Sequence, residues 1–498
     1  MRPALSRSVA ASVVNAAAAV ATSLVSVPLI LDAVGTAGYG VWTLGLALVL
    51  YVAILETGLG PAVQRYVAVA HGGGDRAEVG RLLWSTLIAY AAIGLIGLAL
   101  LQLAAPSLAA LFDLPSHLRP EAEEMFGDLG FVLALALLAA GAGNVLQGLE
   151  RFGTLAATSA VGAIAFLAAV AVLAGPEGLP GLAAALGIQN AVILLARLAG
   201  LRDVLRRPGA VDRATARGVL GFSARLQVTA TAELFNWQSD KVIVGLVAPV
   251  ATVGQLGIGG QFADGGRVLA GAALSPVQSA FAVAAGAHDE AGLRSRFAQL
   301  HRLWVLGVLG AAIVGAASLY PLIDAWLGDG YGEAALLGTF LVLGSAAGLA
   351  TGTGVAYLRA VGRPGLEARY GLVIVGANLL LTIPLAFAAG AVGVVVGTFG
   401  AYLAGMSWFF AGLRRHVPIS PFRTPGEAPR AFVAALLAGA AALGVGLAAN
   451  AVLPAGIAFP FVAAGTVGAL ALYSAVVLGI RPTRAGLQQL LATRDSER

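Results

Sequence analysis

The chain has 498 residues, 59% of them hydrophobic and only 11% charged, with a formal net charge of +5. A soluble domain carries about 25% charged residues, so this composition excludes an ordinary water-facing surface and fits a chain whose surface meets lipid. The absence of cysteine excludes a disulfide framework and a thiol nucleophile. Glycine, at 67 residues, together with abundant alanine, suits helices that approach closely through small side chains.

A spanning helix needs roughly 20 mostly apolar residues, and fourteen stretches qualify. The first half contains Val9–Ala33, Tyr39–Val63, Leu82–Leu111, Leu129–Leu149, Leu155–Leu173, Leu182–Leu201 and Val219–Leu246. The second contains Val253–Ala284, Leu303–Ile323, Ala334–Leu358, Tyr370–Ala388, Val392–Leu413, Ala431–Ala449 and Gly456–Leu478. Arg2 and Arg7 before the first run are compatible with a signal peptide. The run exceeds a signal core of about 7–15 residues, so it reads as the first span. Turn signals at Gly72-Gly73-Gly74, Gly175-Pro176, Arg363-Pro364-Gly365 and Thr424-Pro425-Gly426 separate several of the stretches.

Loop charge tests this layout independently. With the N-terminus inside, all basic residues except Arg119, Arg225, Arg267 and Lys241 fall in or at the ends of cytoplasmic segments. The outer loops hold Asp32, Asp113, Glu121, Glu123, Glu124, Glu177, Asp329 and Glu333. A missed span would invert this pattern downstream of the error. The pattern does not invert, which predicts an even count with both termini cytoplasmic. The basic charge is therefore topological and argues against a nucleic-acid partner.

Gly38 and Gly40 precede Pro61-Ala62-Val63-Gln64 at nearly the spacing by which Gly254 and Gly257 precede Pro276-Val277-Gln278. This predicts a parallel repeat: an all-α membrane protein with two six-helix lobes, residues 1–205 and 206–420, about an axis along the membrane normal. Residues 421–498 add two helices and a tail.

Polar side chains then fall in stripes. The seventh span carries Arg225, Thr229, Glu233, Asn236 and Asp240 within roughly 80° of one another. The eighth carries Asp264, Arg267, Ser275 and Gln278; the first Ser12, Asn15, Thr22, Ser23 and Ser26; the second Glu56 and Gln64. An ionisable group at bilayer depth costs about 2.5–3.5 kcal/mol, so Glu56, Arg225, Glu233 and Arg267 are expected to face a water-filled cavity. The bland alternative is interhelical glue, with Asp264 and Arg267 as a local ion pair. Hydroxyls are expected to bond back to their own helix. Asp240 and Lys241 are expected to form a solvated pair near the outer surface.

Tyr39-Gly40-Val41-Trp42-Thr43-Leu44, Leu55-Glu56-Thr57-Gly58-Leu59-Gly60-Pro61 and Arg65-Tyr66 resemble the opening of bacterial polysaccharide flippases. Those belong to the multidrug/oligosaccharidyl-lipid/polysaccharide exporter superfamily. Asp240 to Gly245 with Val253-Gly254 resembles the opening of their second lobe. The resemblance implies alternating access around a cavity lined by helices 1, 2, 7 and 8. The implied cargo is a polyprenyl-diphosphate-linked oligosaccharide, moved across the bacterial cytoplasmic membrane. Arg225 and Arg267 would engage diphosphate or acidic sugar. Glu56, Glu233 or Asp264 would carry a coupling H+ or Na+, with Asn15 and Gln278 also lining the path. Many relatives carry Asp at the position of Glu56.

The chain shows no Walker A run around Lys241, its only lysine. His71, His117, His288, His301 and His416 are scattered in predicted loops and helix ends without metal-ligand spacing. No cofactor is expected, and a transporter is expected rather than an enzyme. The competing functions are a multidrug or organic-cation antiporter, a peptidoglycan-precursor flippase and a membrane polysaccharide polymerase. A cavity with arginines speaks against the first. The short acidic outer loops speak against the last.

Overall fold

A computed structural model describes residues 3–53, 59–206, 238–286, 290–363, 365–415, 417 and 427–479. These residues are almost wholly helical, joined by short turns, with no strand among them. The helices are α1 (Pro3–Ala53), α2 (Leu59–Gly72), α3 (Arg76–Leu111), α4 (Arg119–Gly148), α5 (Phe152–Gly200) and α6 (Arg202–Leu205). Residues 238–247 form a further helical stretch. There follow α7 (Val250–Gly286), α8 (Glu290–Leu327), α9 (Gly332–Ala350), α10 (Gly352–Ala360), α11 (Gly365–Leu413), α12 (Glu427–Val452) and α13 (Ala458–Gly479). Among the described residues, nine helices are long and apolar enough to cross a membrane. Their outward faces carry large apolar side chains, such as Leu103, Leu380 and Phe387 at 76–81% exposure, as a lipid-facing surface requires.

Several predicted spans share one helix. At 49 residues each, α5 and α11 would run about 73 Å if straight, more than twice the roughly 30 Å hydrocarbon core. Both fold back. In α5 the reversal is at Gly178, φ 60° and ψ −133°. A Cβ on Gly162 would lie 2.3 Å from Ile193 Cγ1, and Arg197 Nη2 donates to Ser159 Oγ at 3.3 Å. These pairs are symmetric about the turn. In α11 the reversal is at Ala389 and Gly390, φ 57° and ψ −138° at the glycine. Asn378 Nδ2 donates to Thr398 Oγ1 at 3.0 Å, and a Cβ on Gly405 would lie 2.4 Å from Ile374 Cγ1. Such a φ/ψ pair is essentially restricted to glycine. The Gly178 turn has an added lock, because Glu121 Oε2 accepts from Leu179 N at 3.2 Å. The long α1 is likewise interrupted, at Gly35 with φ 68°. The predicted span Val219–Leu246 lies outside the described residues up to residue 237.

The chain divides into two compact units, Met1–Gly257 and Ile258–Arg498. In the first, α3 and α4 meet backbone to backbone: a Cβ on Gly94 would lie 2.9 Å from Ala134 Cα, and one on Gly130 3.0 Å from Leu98 Cα. Side chains could not fit there, which explains part of the glycine excess. At one end of this unit Arg151 Nη1 donates to Gly200 O at 2.7 Å and to Asp203 Oδ1 at 2.8 Å. It ties the chain between α4 and α5 to α6.

In the second unit α8 is central. Tyr473 Oη of α13 donates to Leu306 O at 2.7 Å. Asn450 Nδ2 of α12 donates to Pro321 O at 3.0 Å and Asp324 Oδ2 at 2.7 Å. The first of the asparagine bonds goes to the carbonyl of the proline inside α8. Within this unit a Cβ on Gly259 would lie 2.3 Å from Ala334 O, so α7 and α9 also touch through backbone.

Candidate functional site

Of the residues singled out by sequence, Glu56, Arg225 and Glu233 lie outside the described residues, as do Thr229 and Asn236. Asn15 falls on α1, and its side chain is outside them too. On α7, Arg267 Nη2 donates to Asp264 Oδ1 at 2.6 Å, one turn away. The side chains are 19% and 34% exposed. Charge neutralisation makes two ionised groups tolerable on a membrane helix. Gln278, half-buried, lies further along the same stripe of α7. The hydroxyls of the α1 stripe bond locally: Thr22 Oγ1 donates to Ala18 O at 2.8 Å and Ser26 Oγ to Ser23 O at 2.9 Å.

The end of the seventh span differs from expectation. Asp240 was expected in solvent, yet it is only 5% exposed, with Gln238 at 4% and Ser239 at 3%. Lys241 Nζ donates to Gln238 Oε1 at 3.0 Å. Just beyond these residues, the stretch and the start of α7 pack closely on α1. A Cβ on Gly245 would meet Leu44 Cδ2 at 2.9 Å, one on Gly40 would lie 1.9 Å from Val250 O, and one on Gly254 2.3 Å from Thr36 O. The glycines that suggested a repeat therefore make a backbone crossing. Within the first unit that crossing seats a polar, charged segment in protein.

Two further polar groups, one half-buried and one buried, were not assembled from the sequence, although Gln64 was marked there. In the first unit Gln64 Nε2 donates to Asn144 Oδ1 at 3.0 Å, and Asn144 Nδ2 to Tyr90 Oη at 2.9 Å. This relay links α2, α4 and α3, so Gln64 is held in interhelical bonding. Gly60, from the Leu55–Pro61 motif, leaves room for it: a Cβ there would lie 3.1 Å from Asn144 Nδ2. In the second unit Asn378 and Thr382 are 1% and 0% exposed. Asn378 Oδ1 and Thr382 Oγ1 have no partner among the described residues. Partnerless oxygens this deep are costly. The first group could not be found from one-dimensional stripes, because it joins residues of three helices; the second is an i, i+4 pair on one arm of α11.

The histidines also need correction. His301 is not in a loop: it is 1% exposed within α8. Its Nδ1 lies 2.6 Å from Thr353 Oγ1, and its ring stacks on Phe297 at 5.0 Å. It belongs to an aromatic core with Phe281, Tyr357, Phe409 and Phe410. An i−4 phenylalanine precedes it in sequence, a weak signal that was available.

The described helices, with their reversing double spans, share the fold of solved transporters of the MOP superfamily. An inward-facing multidrug resistance MATE family transporter of that superfamily is similar with TM-score 0.66 at 17% identity, over 80% of this chain and 94% of that one. The lipid II flippase MurJ in an inward closed conformation is similar with TM-score 0.65 at 14% identity, over 95% and 98%. The eukaryotic MATE transporter AtDTX14 gives 0.63 at 14%, over 82% and 94%. The chain itself belongs to the polysaccharide biosynthesis protein family, whose model matches residues 8–277. No curated protein matches it in sequence.

Proposed function

We propose that this protein is a flippase. It carries a polyprenyl-diphosphate-linked oligosaccharide across the bacterial cytoplasmic membrane by alternating access, with both termini inside. The observation that carries the reading is membership of the polysaccharide biosynthesis family over residues 8–277 on a MOP-superfamily transporter fold. In this reading residues 1–205 and 206–420 are the two lobes, and residues 421–498 are an addition to them.

The Arg267–Asp264 pair supplies a mechanism. A guanidinium already neutralised by one carboxylate can exchange it for a diphosphate, whose oxygens make stronger charge-assisted bonds. Exchange takes Arg267 away from Asp264, whose carboxylate would then take up H+ or Na+. Cargo binding and ion binding are thereby linked at one turn of helix. Arg225 would contact the same anion, and Glu56 and Glu233 are further carboxylates for the coupling ion. Asn15 and Gln278 would bond sugar hydroxyls along the path.

The test is translocation of a fluorescent lipid-linked oligosaccharide in proteoliposomes. Arg267→Ala should lower the rate about tenfold or more, the cost of losing a charge-assisted contact, with insertion unchanged. Full activity in both Arg267→Ala and Arg225→Ala would exclude this site. A second reading follows from the near-complete coverage of the lipid II flippase structure. Lipid II offered as competing cargo separates it: transport of lipid II but not of the oligosaccharide would replace the proposal. Efflux of a cationic dye would support the multidrug reading.

A further inference from the structure

A groove of about 500 Å³ runs between α12 and α13, lined by none of the polar residues above. Its walls are Val433 and Leu437 on one side and Leu472 and Val476 on the other, all 44–66% exposed. Its floor is Ala434, Ala438 and the ring of Tyr473. The trench exists because two alanines sit where larger residues would fill it. The floor is fixed, since Tyr473 Oη is bonded to Leu306 O and its ring presses on Gly310, where a Cβ would lie 2.1 Å away. Only one charged residue lines it. Arg430 is exposed and stands four residues before Ala434, heading the same i, i+4 stripe.

We propose that this groove is a binding site for an anionic phospholipid of the leaflet that faces Arg430, with one acyl chain in the trench and the phosphate on the guanidinium. On the proposed topology that leaflet is cytoplasmic. Three features fit this occupant. From Arg430 to Ala438 is about 12 Å of helix, close to the depth of one leaflet in a core of roughly 30 Å. A polyprenyl chain of many isoprene units overruns that length. The lining is apolar apart from the cation at one end, the complement of a lipid with one anionic head. A basic group beside an interhelical groove on the cytoplasmic side is also a general mode of anionic lipid capture.

The full-length protein in neutral detergent, titrated with phosphatidylglycerol or phosphatidylcholine, tests this by thermal shift and by native mass spectrometry. Phosphatidylglycerol should raise Tm and phosphatidylcholine should not. Arg430→Gln should weaken phosphatidylglycerol binding on the order of fivefold. Arg430→Lys should restore most of it, because a lysine keeps the charge. Ala434→Leu, which fills the floor, should abolish it. Lipid-free Tm of each variant reports folding separately. An equal response to both lipids, or undiminished phosphatidylglycerol binding by Arg430→Gln, overturns the proposal. A response to undecaprenyl phosphate but not to phosphatidylglycerol overturns it as well and assigns the groove to polyprenyl cargo. Because no readout is transport, failure here leaves the flippase reading standing.

Discussion

Arg151 holds both carboxylate oxygens of Asp203, through Nη1 at 2.8 Å and Nη2 at 2.5 Å. This hydrogen bonding is the main cause that pulls the Asp203 carboxyl down to about 2. A depressed carboxylate contributes stability that is complete above its unfolded value of about 3.9 and is lost as pH falls through its folded value. Asp203→Asn should therefore lower Tm evenly from pH 5 to 9, with the difference from the parent vanishing as pH falls below 4 toward 2. Asp203 is 56% exposed, so the loss should stay near 1 kcal/mol or less. A thermal-unfolding series in pH measures it. Single residues are also where sequence misled most. Asp240 looked like a surface charge and is buried; His301 looked like a loop residue and sits in an aromatic core. In both cases burial is set by a neighbouring helix distant in sequence, which hydropathy windows do not sense.

For the helices, the informative features are the two reversals. Gly178 and Gly390 share nearly the same backbone angles, yet their surroundings differ. A Cβ on Gly178 would lie 2.4 Å from Glu121 Oε2, whereas nothing stands within 4 Å of Gly390. Gly390→Ala should cost only the backbone strain of about 1–3 kcal/mol. Gly178→Ala should cost that strain plus the bond from Leu179 N to Glu121, and so should lower Tm further. Equal losses would show that the Glu121 contact contributes nothing. Both arms of each hairpin were legible, because each is a full apolar run with a proline or glycine at its boundary. Their continuity was not, since no polar residue marks the α11 turn, and in α5 Gly175-Pro176 and Glu177 read as a loop rather than as a bend within one helix. The close pairs of α3 with α4 were foreshadowed only as a glycine excess. Which glycines meet which helix depends on crossing geometry.

At the scale of the whole chain, the loop-charge asymmetry carried most of the information, and it depends on topology alone. The all-helical membrane fold followed from it and from composition. The ion pair that the described residues show on the charged stripe, Arg267 with Asp264, was legible as well, because the two stand three residues apart on one helix. The inside–outside assignment is directly testable because the chain contains no cysteine. Single cysteines at Gly73 and Arg363 should react with an impermeant maleimide only after the membrane is opened. Cysteines at Ser116 and Asp329 should react in intact cells. These four positions are exposed, so lack of labelling at the outer pair would invert the topology.

The tight reversals in α5 and α11 bear on how the protein is made. A pair of spans joined by a one- or two-residue turn has almost no polar chain to carry through hydrocarbon. Each hairpin can leave the insertion machinery sideways as a single wedge. Its open ends are marked by arginines, Arg151 and Arg202 for one, Arg363 and Arg414 with Arg415 for the other. Basic residues at both ends favour keeping both on the side of synthesis. Biogenesis of this chain is therefore expected to proceed partly by twos, with the orientation of each second arm decided by its turn.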